Sequence, residues 1–410
     1  MTKEDIVRTA FRVWGRDLYR TTSLSEIARE LGVSKPALYR HFKDKDAILD
    51  AMDTVFFDNC AAFIKESYHR AISSKDRKES GLAMMRTVSE YYIRNKDAFV
   101  FSLTRVYNRQ DKNNMHDEFC RRGIDFRRLT YGENESGAYP SKIQFIMVTL
   151  IFSISQFHRN SRGQGETPSE EQVNAVLAQI EDQVLHGLNL DTQRVTGLDF
   201  EALENRAAGA VYQDTEDNRL LKAVAEAVAE AGPWNASMEM VAKRSGLSKS
   251  GLYAHFKNKQ DMLAKLFITE YARILDFARE QIEGSESPEE QLYLSIITIV
   301  NYLRTRPELL VAIDWIRTRR LDLGRDFSGQ LYRIIRSIKL EAIRNHDKRS
   351  LIRKAHWILF TIVNTLVWWS SDQQAERHLN KGWTRAIAEI PNESFRILFR
   401  FIALGARHRF

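Results

Sequence analysis

From its first turn the chain spaces apolar residues with the period of an α-helix. Ile6, Val7, Ala10, Phe11, Val13 and Trp14 share one face, and Thr2 and Asp5 stand at capping-box spacing before them. A second stripe, Leu24, Ile27, Ala28 and Leu31, follows Ser23 as its cap and stops at Gly32. Two residues on, Ser34 can cap a third helix that tolerates Pro36 in its first turn and sends Leu38 and Phe42 inward, with Tyr39 and His41 facing elsewhere. Asp44 can cap a fourth, longer helix from Lys45 through Ile48, Leu49, Met52, Val55 and Phe56. Two short helices joined by a tight glycine turn spell a helix-turn-helix.

The pattern then returns. Residues 32–49 read GVSKPALYRHFKDKDAIL and residues 246–263 read GLSKSGLYAHFKNKQDML, in register at a shift of 214, with ten of eighteen pairs identical. The same shift pairs Ser23 with Ser237, Ile27 with Val241, Ala28 with Ala242 and Arg29 with Lys243. In the second copy Gly246 marks the turn, Ser248 caps, Leu252 and Phe256 face inward, and Asn258 caps the fourth helix. About 140 residues of helix-patterned sequence follow each copy, a further domain's worth. The strongest runs are 143–157 and 172–188 in the first half, and 351–369 and 395–404 in the second. The predicted fold class is all-α, in two tandem units: small domains at 1–55 and 218–268, larger helical domains at 56–188 and 269–410. Segment 189–217 loses apolar periodicity and reads as a connector with one short helix.

Composition agrees. With 43% hydrophobic residues, 28% charged, and only 19 Gly and 7 Pro in 410 residues, the chain has a sizeable core and too little turn punctuation for an all-β fold. The net charge of +7 is compatible with a polyanionic partner but decides nothing, being spread over 54 acidic residues. Cys60 and Cys120 lie far apart without Cys-x-x-Cys spacing, so they build neither a disulfide framework nor a cysteine-based zinc site; no metal or cofactor is expected, and a reducing cytoplasm fits. The start lacks an apolar signal region, and the run 143–157 is shorter than a membrane span and contains Gln144, so neither secretion nor insertion is expected. No G-x-S-x-G, G-x-x-x-x-G-K or H-E-x-x-H occurs, and Gly163-Gln-Gly165 leads into Thr-Pro rather than a dinucleotide fingerprint, so no catalytic residues are expected.

The string S-K-x-x-L-Y-x-H-F-K-x-K, present at 34–45 and 248–259, resembles the DNA-binding domain of the TetR family of bacterial transcriptional regulators. The resemblance implies an all-α regulator, usually a homodimer, whose third helix enters the major groove and whose larger domain binds an inducer. Leu18 stands where a glycine is usual after helix one, whereas the second copy keeps Gly232, and the family's usual chain carries one such unit rather than two. The resemblance places Tyr39, His41 and Lys45, with Tyr253, His255 and Lys259, on the DNA backbone. Ser34 and Ser248, at helix N-termini, can cap or touch phosphate, and so can Thr22, Ser23 and Ser237 on the preceding helix. Base reading should come from the stretch where the copies part, Lys35, Pro36, Ala37 and Arg40 against Lys249, Ser250, Gly251 and Ala254, which differ at all but the lysine. Arg40 has the fork for guanine O6 and N7, and Ala254 does not.

In the helical domains a carboxylate at Asp314 amid apolar residues needs a partner and marks a candidate inducer pocket with Trp315, Trp357 and Asn364; core packing is the commoner role for any one aromatic. The terminal helices of each unit are candidates for a four-helix interface that closes within one chain as a pseudo-dimer or between two chains as a homodimer. The expected function is a DNA-binding repressor, on double-stranded DNA, released by a small molecule. The alternative is a regulator without inducer, controlled by a protein partner or by oligomerisation.

Overall fold

The computed structural model describes residues 2–16, 23–103, 112–126, 128, 142–160, 167–208, 217–285, 287–306, 309–310, 340–344, 347–373 and 390–407. Among these the regular structure is helical throughout, without a strand. The chain divides into two compact units, one of residues 1–134 and 150–181, the other of residues 135–149 and 182–410.

The first unit opens with α1 (Lys3–Arg16), α2 (Leu24–Glu30), α3 (Lys35–Tyr39) and the long α4 (Lys45–Ser73), followed by α5 (Arg77–Arg94), α6 (Lys96–Phe101) and α7 (Lys112–Arg121). The predicted caps are present. Thr2 and Asp5 exchange backbone N–H to side-chain bonds of 2.7 and 3.1 Å, Ser23 and Glu26 do the same, and Asp44 accepts from the Ala47 N–H at 2.8 Å. One core runs from the small domain into the larger: Ile6, Ala10, Ile27, Leu38, Ile48 and Met52 are buried, and continue through Phe56 to Phe101 and Phe119. Phe101 joins the two ends, its ring 4.9 Å from Phe11 and 5.6 Å from Phe56. The small domain is therefore packed directly on the body through α1 and α4.

Two helices, α8 (Lys142–Asn160) and α9 (Glu170–His186), begin in one unit and end in the other. In the segment 189–217, where one short helix was expected, the described residues form two, α10 (Thr192–Thr196) and α11 (Phe200–Ala208). The second unit continues with α12 (Asp217–Asn235), α13 (Met238–Ser245), α14 (Lys249–His255), α15 (Lys259–Ile282), α16 (Pro288–Thr305), α17 (Glu341–Arg344), α18 (Lys348–Gln373) and α19 (Asn392–Leu404).

The two connector helices are not a slack tether. Val195, Phe200 and Ala207 are buried, and Phe200 sits edge-on to Tyr293 (4.8 Å) and to Phe399 (6.0 Å). Glu204 accepts from Arg396 Nε and Nη2 (2.7 and 3.0 Å), Asn392 Nδ2 (3.0 Å) and Tyr293 Oη (2.5 Å). Burial alone would raise the Glu204 carboxyl's pKa; these hydrogen bonds, with the Arg396 charge, outweigh it and hold the group below the ordinary glutamate value.

Elsewhere in the second unit the end of α9 interlocks with the end of α19. Leu188 N–H donates to Ile402 O (2.8 Å), Leu190 N–H to Ala403 O (3.0 Å) and Ala406 N–H to Val184 O (2.7 Å). Gly187 (φ +59°) and Gly405 (φ +74°) permit this crossing: a Cβ at Gly187 would fall within 2.3 Å of Ile402 O, and one at Gly405 within 2.3 Å of Leu185 O.

Candidate nucleic-acid interface

The turn of each helix-turn-helix is built the same way. After α2, Gly32 takes φ +67° and Val33 N–H donates to Ala28 O at 2.9 Å; after α13, Gly246 takes φ +72° and Leu247 N–H donates to Ala242 O at 3.0 Å. The left-handed residue reverses the chain so that the next helix starts two residues later. Nothing lies within 4 Å of a Cβ built on either glycine, so these positions need the positive φ and not the space.

Leu38 and Phe42 are buried, as are Leu252 and Phe256, and this anchors α3 and α14 by their inward faces. The outward face of the first head then holds Ser34, Lys35, Pro36, Tyr39 and Arg40 exposed, with Ala37, His41 and Lys45 half-buried at its edge. The second presents Ser248, Lys249, Ser250, Tyr253, Ala254 and His255 exposed, with Gly251 and Lys259 half-buried. Tyr39 and Tyr253 are each 47% exposed, an identical display in both copies of a ring and hydroxyl that suit sugar and phosphate. Thr22 lies outside the described residues. Ser23 and Ser237 cap their helices, accepting from Glu26 N–H (3.3 Å) and Met240 N–H (3.2 Å).

The heads differ in how the outward helix is held. Ser248 Oγ accepts from Gly251 N–H (3.0 Å) and bonds Ser250 Oγ (3.0 Å), whereas Ser34, in the same extended conformation, makes no side-chain cap bond. Pro36 stands where Ser250 does, and it contributes neither an N–H nor a hydroxyl. At the other end Lys265 Nζ donates to His255 O (2.8 Å) and lies 5.6 Å from the Phe256 ring centre. A cation there satisfies a terminal carbonyl and suits the helix dipole. The shift of 214 places Ala51 at that position in the first head. Accordingly α14 has seven residues and α3 five.

Electrostatics separate them further. Lys249 is hydrogen-bonded and ion-paired to Glu239, which raises the pKa of the ammonium and lowers that of the carboxyl. Ser25 takes the place of Glu239 in the first head and offers Lys35 no carboxylate. Lys45 is held below the ordinary lysine value by burial, partly offset by the carboxylates of Asp46 and Glu26. Glu239 and Lys265 were not among the residues anticipated from the motif. The signal for both was in the repeat, at positions where the copies disagree outside the recognition helices.

Of the candidate pocket residues, Asp314 and Trp315 lie outside the described residues. Trp357 is fully buried and donates from Nε1 to Thr149 Oγ1 (3.1 Å), a core contact. Asn364 is 5% exposed and donates to Phe360 O (2.6 Å) one turn back on α18.

Two helix-turn-helix heads, each with a basic, tyrosine-bearing outward helix anchored by a leucine and a phenylalanine, define a double-headed DNA-binding regulator. No helix among the described residues is long and apolar enough to cross a membrane. Residues 6–52 and 220–266 both match the domain described as bacterial regulatory proteins, tetR family. The chain thus carries the DNA-binding domain of the tetR family of bacterial regulatory proteins in two tandem copies, the domain of a transcriptional regulator of TetR type. It is similar to an HTH-type transcriptional regulator of Mycobacterium tuberculosis (24% identical over 162 residues, 39% of this chain and 79% of that protein). It is also similar to the fatty acid metabolism regulator protein of Bacillus subtilis (26% over 163 residues, 38% and 84%). Among solved structures, the fatty acid degradation regulator of Bacillus halodurans matches 48% of this chain and all of its own, at 18% identity and a TM-score of 0.36.

Proposed function

We propose that this chain is a repressor whose two unlike heads read the two halves of one non-palindromic operator, so that a single chain does what two copies of a one-headed regulator do. The observation that carries this reading is the contrast between the outward helices on otherwise matched scaffolds. Arg40 faces Ala254 across the repeat, and Lys35 stands clear of any carboxylate at residue 25 while Lys249 is paired with Glu239. Tyr39, His41 and Lys45, with Ser34, hold the first head on phosphate; Tyr253, His255 and Lys259, with Ser248, hold the second; Arg40 reads guanine.

Closure within one chain is supported by the second unit. Its core takes in the start of α8, through Phe145 stacked at 5.4 Å on Phe401 and Thr149 bonded to Trp357, together with the interlocked ends of α9 and α19. That the second unit includes the start of α8 and the end of α9 supports a pseudo-twofold closure of the terminal helices. A small-molecule inducer in a helical domain completes the reading, and the name of the Bacillus subtilis relative makes an acyl compound the first effector to test.

Selection of sites from a random duplex library with the whole protein tests it. A motif with two different half-sites is the expected result. A palindrome would overturn the pseudo-dimer, because it would require the same head from two chains. The selected duplex, titrated with fatty acids and their thioesters, then tests release.

A further inference from the structure

Away from the heads, the end of α7 and the turn that follows gather three metal-ligating side chains. His116 and Cys120 are four residues apart on the helix and so share a face, with Cys120 Sγ 3.4 Å from His116 Nε2. Gly123 takes φ +81° and closes the helix: Ile124 N–H donates to Phe119 O and Gly123 N–H to Cys120 O, both at 2.9 Å. That reversal returns Asp125 to the helix end, where one ligand atom from each of His116, Cys120 and Asp125 lies within 4.8 Å of the others.

The third ligand is also held from another helix. The hydroxyl of Tyr68, a buried residue of α4, accepts from Asp125 N–H (3.1 Å) and donates to Asp125 O (3.2 Å). Beside the turn, Arg122 donates to Asp58 and Glu118 at 2.6 Å each and its guanidinium lies over the Phe57 ring at 5.5 Å. A metal placed between the three ligands therefore meets an imidazole, a thiol and a carboxylate on a braced turn.

We propose that His116, Cys120 and Asp125 form an open three-ligand site for a thiophilic divalent cation of the zinc class, with water as fourth ligand. A nitrogen, sulfur and oxygen donor set selects Zn²⁺ or Co²⁺ over Mg²⁺ and Ca²⁺, which prefer oxygen alone. With bonds of about 2.0–2.3 Å the edge of a tetrahedron is about 3.5 Å. The 4.8 Å span thus needs only side-chain rotations of the exposed Cys120 and its neighbours to close. As the metal–sulfur bond forms, the Cys120 thiol gives its proton to solvent, so binding strengthens as pH rises. The sequence expectation of no metal site came from asking whether the two cysteines could serve together. Here a His-x-x-x-Cys helix face completed by an aspartate needs only one of them.

The test is titration of the full chain, metal-free and reduced with a non-chelating phosphine, with Co²⁺ and then Zn²⁺. The expected result is a thiolate-to-Co²⁺ charge-transfer band that saturates at a single equivalent and is displaced by Zn²⁺. The band should be absent in Cys120→Ser, and affinity weakened about tenfold or more in His116→Ala and in Asp125→Asn. Cys60 cannot supply the band, because it is buried and its thiol is pushed up to about 12. Zn²⁺ should raise the thermal midpoint of the wild-type chain and leave that of Cys120→Ser unmoved, with all three variants matching wild type in helicity without metal. Absence of a thiolate band in the folded wild-type chain, or a band that survives in Cys120→Ser, would overturn the site, whatever the DNA-binding result.

Discussion

Replacing Glu204 with alanine should unfasten the connector. The carboxylate accepts four hydrogen bonds, two of them from Arg396 in a fork, and one each from Tyr293 and Asn392. Its side chain is 12% exposed and that of Arg396 23%, so the pair is largely but not wholly desolvated. Breaking a fully buried pair by removing one partner costs about 3–5 kcal/mol, and the residual solvent around Arg396 brings this to about 3 kcal/mol. For a unit of this size that is a fall of roughly 6–12 °C in the unfolding midpoint. Thermal unfolding of the full chain by circular dichroism reads it, with Asn205→Ala, an exposed change on the same helix, as the control. The pH dependence supplies the sign check. Because the folded carboxyl lies below its unfolded value, the contribution is complete above about pH 4.3 and is lost as pH falls through the folded pKa. The gap between wild type and Glu204→Ala should therefore be constant near neutrality and close only in acid. A variant no less stable than Asn205→Ala would refute the docking argument, and a gap that widened in acid would refute the ionised carboxylate.

Three further outcomes concern the heads. Arg40→Ala should lower affinity for the selected site by about 5- to 150-fold relative to random duplex, the worth of one bidentate guanine contact; equal losses on both would remove base reading from this residue. Glu239→Ser should free Lys249 for phosphate, so that log affinity falls more steeply with log salt, by about 0.9 in slope; an unchanged slope in filter binding or anisotropy would show that Lys249 gains no phosphate contact. In the free protein the amides of Leu38 to Phe42 should exchange with deuterium faster than those of Leu252 to Phe256, because α14 is capped at both ends and α3 lacks the Ser34 cap bond. Matched protection would set that capping argument aside.

What was legible in the sequence was what a few neighbouring residues decide. The caps at Thr2, Ser23, Asp44 and Asn258 and the glycine turns at 32 and 246 follow from local donors, acceptors and φ, and they stand in the structure as read. Ser34 is the instructive exception. Its residue type predicts a cap, but Pro36 replaces the hydroxyl that steadies Ser248, and the side chain makes no cap bond. The connector was misread for the opposite reason. Glu204 and Arg396 are 192 residues apart, and nothing in the polar composition of 189–217 announces that Phe200 and Glu204 have partners on α16 and α19. The Lys249–Glu239 pair left only the mismatch of Ser25 with Glu239 in the repeat as a signal, and the His116, Cys120 and Asp125 cluster was not anticipated either. Each depends on side chains that meet across a turn and not on a spacing that either motif prescribes.

These differences share a pattern that bears on how one chain came to hold two heads. The two residues that anchor the outward helix are identical, Leu38 with Leu252 and Phe42 with Phe256, the turn glycines keep their positive φ, and the core beneath stays apolar while changing identity, Leu24 against Met238, Ile27 against Val241 and Ile48 against Met262. A change at the anchors or the glycines would create a cavity or strain and lose the head altogether. At four outward and flanking positions the copies differ in chemistry: Ser25 against Glu239, Pro36 against Ser250, Arg40 against Ala254, Ala51 against Lys265. None of these alters the core. Under the proposed reading each alters what the outward helix offers a duplex, by supplying or removing a base-reading fork, by holding or releasing a lysine, or by fixing the helix before contact so that less ordering remains to be done on binding. On α3 and α14 themselves the copies differ at Pro36/Ser250 and Ala37/Gly251 and keep the buried leucine, a pattern that fits the proposed reading of two unlike half-sites.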